Sequence, residues 1–310
     1  MIAPSGVRVP PNTPLPNRVV LERLYQIERM VKETRYEDAA RAIDRLLAKH
    51  PTDPHANFRA GWLCALRGHY EVALDFLRRA LKAARCPWSE ALNAIGAVLM
   101  RMGRYDEGLP YLQAAAVAAP QNPEVWINLA NWAEGSGRDD LALDILARAS
   151  RHPGNLGAPG IRWARSFIEL KRGDYLNGWR DYECRWLNTE WLAARARTFV
   201  PGSEFWYGGP IPAGDTLLVH FEQGMGDTVQ CLRYLPWVRA RTSARLLLQV
   251  QKPLVPLVQR RPDLYDALSS HEGEPTGYQW HVSMMSLPHA HDTRLDTIPP
   301  PLRLAAGKAA

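Results

Sequence analysis

Residues 92–120, LNAIGAVLMRMGRYDEGLPYLQAAAVAAP, decide the architecture of the first half of this chain. Leu92, Ile95, Gly96 and Leu99 fall on one stripe at helical spacing, Gly103 interrupts the pattern, and Tyr105, Gly108, Leu112 and Ala115 form a second stripe that Pro120 stops. The spacing predicts two short helices folded back on each other. Gly96 and Gly108 would let them approach closely, and Tyr105 would plug the gap to a neighbouring hairpin. Working outward, the same pattern recurs five times between Leu21 and Trp186. Ala39, Ala73, Gly108, Ala142 and Gly178 stand 34, 35, 34 and 36 residues apart. Five residues before each lies Thr34, Gly68, Gly103, Gly137 or Gly173, and three before lies Tyr36, Tyr70, Tyr105, Asp139 or Tyr175. A helical pair of this length cannot bury its apolar face alone, so neighbours must stack into a solenoid with a concave groove.

Composition narrows what such an array can be. With 310 residues and 46% hydrophobic content the chain suffices for two modest globular units. The net charge of +6 comes from 38 basic and 32 acidic residues scattered through both halves, not from a basic face of the kind nucleic acid requires. Cys64, Cys86, Cys184 and Cys231 share no short spacing and read as reduced packing residues. The only pair at metal-ligand spacing is His289 and His291 in a loop-like stretch, which points to no metal site. No 18-residue apolar run occurs, and the Pro-rich leader, residues 1–20, is neither signal peptide nor anchor, so a cytoplasmic location without a membrane span is the expectation.

The repeated residues resemble the tetratricopeptide repeat, whose pattern asks for small residues at the eighth and twentieth positions and a closing proline. Gly61, Gly96 and Ala130 take the eighth position and Pro51 and Pro120 the closing one. Ile27 departs from it in the first unit, and Gly154 stands where the fourth expects proline, Pro153 being one place early, which implies distorted or capping end repeats. The resemblance implies that the first helix of each hairpin faces the groove and that a protein or peptide partner lies there. It places Asn93, Arg101, Asn128, Asn131 and Lys171 near that groove, together with Phe58, Trp62, Met100, Ile127, Trp163 and Phe167. Asparagines there can hold an extended peptide by its backbone amides, as in the similar repeats of O-linked N-acetylglucosamine transferases; solvated amides and aromatic residues serving as inter-hairpin core are the simpler alternative.

After Trp186 the pattern changes. Residues 187–215 lack a sustained period, are rich in Gly and Pro, carry Trp191, Phe205, Trp206 and Tyr207, and read as a linker packing on the array. Residues 216–310 then begin an alternation: a strand from Thr216 to Phe221, a turn at Gly224 to Gly226, a helix from Asp227 to about Arg241, a strand from Ala244 to Val250 and a helix from Pro253 to Arg261. That order predicts a parallel, Rossmann-like sheet of three or four strands. The expected fold is therefore mainly α, a repeat solenoid followed by a partial α/β domain. Ligands of such sheets bind where strand, glycine turn and helix start meet, here at His220, Glu222, Gln223, Gly224, Gly226, Asp227 and Thr228. A lone Gly-x-Gly names no cofactor, and a carboxylate at a helix start also serves as a cap. Trp179, Tyr182 and Trp186 share one helical face, which suits packing of the last hairpin onto the linker and sheet or, alternatively, ligand stacking.

Several blocks in one order, Gly178 to Trp186, Trp206, Leu217 to Asp227, Arg233 to Pro236, Leu246 to Gln251, Ser283 to Pro288 and Leu295 to Pro299, resemble bacterial proteins that join tetratricopeptide repeats to a glycosyltransferase module. That module is similar to the family nine heptosyltransferases, which have the GT-B fold of two facing Rossmann domains. The resemblance implies an inverting displacement with Asp227 as general base, while His220, Glu222, Gln223 and Thr228 orient the acceptor or are loop structure. The sequence ends at Ala310, before the nucleotide-sugar domain of such an enzyme. The expectation is an interaction scaffold that does not catalyse alone and takes no cofactor; the alternative is one component of a transferase whose donor site lies on a second chain.

Overall fold

A computed structural model describes residues 14, 17–187, 202–270 and 275–303. Most of the Pro-rich leader and residues 188–201 of the supposed linker, Trp191 included, lie outside the described residues. The chain divides into two compact units, residues 1–161 and 162–310.

The described residues of the first unit form four helical hairpins: α1 (Arg18–Lys32) with α2 (Tyr36–Lys49), α3 (Pro54–Leu66) with α4 (Tyr70–Ala84), α5 (Ser89–Arg101) with α6 (Tyr105–Ala118), and α7 (Pro123–Gly135) with α8 (Asp139–Arg151). Helix starts are set locally. The side chains of Asn17, Asp53 and Asn122 accept backbone N–H groups of Val19, Ala56 and Glu124, and proline occupies the first turn of α3 and α7. Each hairpin turns through one residue in the left-handed region: Thr34, Gly68, Gly103 and Gly137 have φ of 59°, 79°, 75° and 74°. That backbone requirement is why glycine recurs there. Close packing explains the other small residues: a Cβ on Gly96 would stand 2.6 Å from Leu112 Cγ, and Ala39, Ala73 and Ala142 are fully buried. Tyr105 sits between hairpins as expected. Its carbonyl accepts Trp132 Nε1–H at 3.0 Å, and a Cβ on Gly135 would meet its ring at 2.7 Å. The first helices touch in succession, α1 to α3, α3 to α5 and α5 to α7, so they form the inner side of the array.

The second unit holds most of α9 (Pro159–Lys171), the short α10 (Tyr175–Tyr182) and a 3-10 turn, Glu183–Leu187. Gly178 allows α10 to approach α9, since a Cβ there would lie 2.8 Å from Leu170 Cγ. Then come β1 (Glu204–Phe205), β2 (Thr216–His220), α11 (Met225–Cys231), α12 (Leu235–Arg241), β3 (Arg245–Val250), α13 (Val255–Val258), β4 (Ala267–Ser270), β5 (Trp280–Ser283) and α14 (Leu287–Ala290). The five strands pair parallel throughout, in the order β1-β5-β2-β3-β4. Central β2 is buried at every position and places Leu218 opposite Leu247 on one side and His281 on the other. A core of Trp206, Leu217, Val219, Leu235, Leu246 and Val282 closes over the sheet. The helix expected from Asp227 to Arg241 is two helices joined by a 3-10 turn at Leu232–Tyr234, with Pro236 in the first turn of α12, a position proline tolerates. β1 lies inside the stretch read as linker, and the sheet has one or two strands more than expected.

Candidate functional site

Two places collect the polar residues singled out in the sequence. The first is the inner side of the repeats. Asn93 on α5 and Asn128 on α7 are half-buried, and Asn128 Nδ2 donates to Asn93 Oδ1 at 3.0 Å across the two hairpins. Each amide keeps donor or acceptor capacity beyond this single bond. Asn131 and Arg101 are exposed, and among the described residues Arg101 has no carboxylate partner. Lys171, also exposed, belongs to the second unit. The aromatic residues named beside them are mostly packing: Phe58 lies 4.9 Å from the ring of Trp88, and Trp62 packs on the core of the first hairpins. In the second unit Trp163 and Phe167 pair at 5.9 Å, and Phe167 remains half-exposed.

The second place is the sheet's topological switch point. The chain leaves β2 towards β3 and β4 on one side and returns to β5 on the other, so the loops after β2 and β5 flank a crevice at the carboxyl ends of the strands, where such sheets bind ligands. Here that crevice is filled by the protein's own guanidinium. Arg185, fully buried, donates from Nε and Nη2 to Glu222 at 2.8 and 2.7 Å, from Nη1 to Glu183 Oε1 at 2.6 Å and the Tyr182 carbonyl at 3.1 Å, and from Nη2 to Ser286 Oγ at 2.7 Å. All five of its N–H groups are used. Glu222, 3% exposed, also accepts from Ser283 Oγ. Tyr182 and Trp186 stack on the guanidinium at 4.4 and 4.8 Å. The acidic neighbours hold the Arg185 proton against the opposing effect of burial.

The remaining turn residues are likewise engaged in the loop. Gln223 donates to the Tyr182 hydroxyl, and its carbonyl accepts Gln251 Nε2 at 2.9 Å. His220 is fully buried, its Nδ1 3.1 Å from the Phe221 carbonyl and its ring 5.9 Å from that of His281. Burial pushes His281 down to about 4, so it is neutral at physiological pH. Thr228 is buried with Oγ1 3.4 Å from the Gly224 carbonyl. Asp227 Oδ2 accepts the Gly224 N–H at 3.0 Å, a cap on α11. Gly224 and Gly226 are exposed, and space around Gly226 is open. Asp227 is partly exposed, whereas the side chain of Glu222 is buried, and among the described residues the Asp227 Oδ1 has no partner.

Sequence reasoning did not find Arg185 as the group filling the crevice, nor Asp181. Asp181 is fully buried and held by Arg162 Nε and Nη2 at 3.1 and 2.9 Å and by Arg165 Nε at 2.7 Å. The one signal available was the density of Arg, Asp and Glu inside the aromatic block Trp179 to Trp186, too acidic and basic for a purely apolar packing face. His289 and His291 lie beside aromatic rings, Tyr207 for the first and Trp237 for the second. Among the described residues no helix is long and apolar enough to cross a membrane.

Comparison with known proteins agrees with the repeat architecture. Tetratricopeptide-repeat family models match residues 31–86 and 99–155. No curated protein sequence matches the chain. Among solved structures, a thermophilic TPR protein of Thermus thermophilus is similar over 56% of this chain and 98% of its own, at 18% identity and a TM-score of 0.48. The pilF protein of Pseudomonas aeruginosa is similar over 54% and 75%, at 17% and 0.47, and MamA from Desulfovibrio magneticus RS-1 over 58% and 99%, at 19% and 0.42. The N-terminal region of this chain therefore carries tetratricopeptide repeats.

Proposed function

We propose that the chain is a protein-interaction scaffold that holds an extended peptide along the inner side of its repeats, fused to a glycosyltransferase-like α/β unit that does not catalyse by itself. The Asn128–Asn93 hydrogen bond supports the first part of this reading, because it brings two side-chain amides together across adjacent hairpins. Each amide-to-backbone bond contributes about 0.5–1.5 kcal/mol net, so affinity comes from several in register. The second part is supported by Arg185, which occupies the switch-point crevice and consumes Glu222. A peptide library displayed on phage and selected against the full chain tests the scaffold. Selected peptides should lose at least tenfold in affinity for an Asn93→Ala/Asn128→Ala/Asn131→Ala variant of unchanged melting temperature; equal affinity for both proteins refutes the assignment.

A second reading is favoured by one observation, the Oδ1 of Asp227 at the helix start beside the crevice, which has no partner among the described residues. On that reading the chain is one component of an inverting transferase of the GT-B type, similar to the heptosyltransferases. Asp227, oriented by the Gly224 N–H, takes the proton of an acceptor hydroxyl, and a separate chain supplies the nucleotide sugar. Asp227→Asn keeps the cap and removes the base. Loss of transfer in a reconstituted pair with unchanged partner binding supports this reading, and unchanged transfer refutes the role of Asp227.

A further inference from the structure

We infer that the free end face of the first hairpin, the side away from the second hairpin, is a second docking surface, separate from the peptide-binding side, and that its occupant is an acidic amphipathic helix of a partner protein. The open groove there has a volume of about 620 Å³ and is lined by α1, α2 and His50 just after α2. Its apolar lining has Ile27 and Leu46 buried, with Met30 and the exposed Val19 beside them, and its basic lining is Arg23, Arg45 and Lys49.

The repeat register says what belongs on this face. Gln26 and Met30, which line the groove, correspond to Ala60, Ile95 and Leu129 and to Cys64, Leu99 and Ala133 in the next three hairpins. Of these, Ala60, Ile95, Leu129, Leu99 and Ala133 are buried, since each inner hairpin lays this face on the helices before it. The first hairpin thus presents the side of a repeat that ordinarily receives a helix, and a helix fits its period of apolar contacts.

Charge selects the kind of helix. No carboxylate lines the groove. Arg23 binds Gln26 Oε1 at 3.1 Å, Arg45 the Arg41 carbonyl at 3.1 Å, and among the described residues none of Arg23, Arg45 and Lys49 has a carboxylate partner. The other basic residues of α1 and α2 are paired, Arg18 with Glu22, Arg29 with Glu33, Lys32 with Glu28 and Arg41 with Asp38, so among the described residues of these two helices the cations without a carboxylate partner are those at the groove. The chain's own residues 1–16 are a poor complement, for they contain Arg8, five prolines and no acid.

The test uses the full chain and two fluorescein-labelled 18-residue helical peptides sharing one leucine stripe at i, i+3, i+4, i+7 spacing, one flanked by glutamates and one by lysines. Fluorescence anisotropy at 50 mM salt should show at least tenfold tighter binding of the acidic peptide. Arg23→Gln/Arg45→Gln/Lys49→Gln should abolish the preference and Arg23→Glu/Arg45→Glu/Lys49→Glu should reverse it, while Asn93→Ala/Asn128→Ala leaves it intact. No binding, equal binding of the two peptides, or indifference to substitution of Arg23, Arg45 and Lys49 overturns the proposal. So do three alternative occupants: a dimer in sedimentation velocity that the Glu substitutions dissolve, a tenfold gain in peptide affinity on deleting residues 2–13, or binding to phosphatidylglycerol vesicles that depends on these three residues, without peptide binding.

Discussion

Replacing Arg185 by methionine keeps most of the side-chain volume and the aromatic packing against Tyr182 and Trp186, but withdraws all five hydrogen bonds from the switch-point crevice. The variant strands two carboxylates. Among the described residues, Glu222, 3% exposed, keeps only Ser283 and Gln223 as donors, and Glu183, 13% exposed, keeps Ser286. Removing one partner of a buried ion pair costs about 3–5 kcal/mol, because the surviving charge has neither water nor counter-ion. Spread over amides that open with this unit, that is a loss of protection of about 150-fold to 5,000-fold. Hydrogen–deuterium exchange read by mass spectrometry resolves it, since peptides covering β2 and β5 report the crevice and peptides covering α5 and α7 serve as the internal control. Adding Glu222→Gln to Arg185→Met should return part of the loss, because a neutral amide tolerates burial better than an unpaired carboxylate. Protection of the β2 and β5 amides within threefold of wild type would refute the claim that Arg185 holds these strands and loops together.

Gly96→Ala should cost about 1–3 kcal/mol in thermal unfolding, because its Cβ would stand 2.6 Å from Leu112 Cγ and Cδ2 in the tightest contact of that hairpin; a shift in melting temperature under 1 °C would contradict the packing. Glu169 is raised from 4.5 to about 7, first by burial and then by the neighbouring Asp181 and Asp174, with Arg165 and Arg180 opposing. Since the folded state holds this proton more tightly than the unfolded one, its stabilising effect is present below about pH 4.5 and is lost as pH rises through about 7. Glu169→Gln should therefore gain stability relative to wild type between pH 5 and 8, measured by urea unfolding, and a pH-independent difference would contradict the assignment.

Legibility in the sequence follows the range of the interactions. The hairpins are readable because their requirements are local and repeated: positive φ at Gly68, Gly103 and Gly137, and a close approach at Gly96 that admits no side chain. β2 and β3 are readable as short apolar runs buried on both faces. β1 is two residues long, and β4 is Ala-Leu-Ser-Ser, neither of which has enough apolar or β-branched residues to announce a strand; each is defined by its neighbour in the sheet. A glycine turn after β2 is legible, although α11 already begins at Met225 and takes in Gly226, whereas what fills the crevice beside it is not, because Arg185 reaches Glu222 across 37 residues and no spacing rule links them. Asp227 was ambiguous for a chemical reason: the same carboxylate at the same helix start caps Gly224 and leaves an oxygen for other work.

The asparagine-bearing inner side of the repeats is proposed above to hold a peptide. The most direct measurement is a titration of the full chain, labelled with 15N, with a selected peptide, following the side-chain NH2 resonances of Asn93, Asn128 and Asn131 by TROSY NMR. These three amides should shift together and saturate at the affinity measured for the whole complex. Unshifted asparagine amides, with saturating shifts on the second helices at exposed Val72 and Val117 instead, would contradict it.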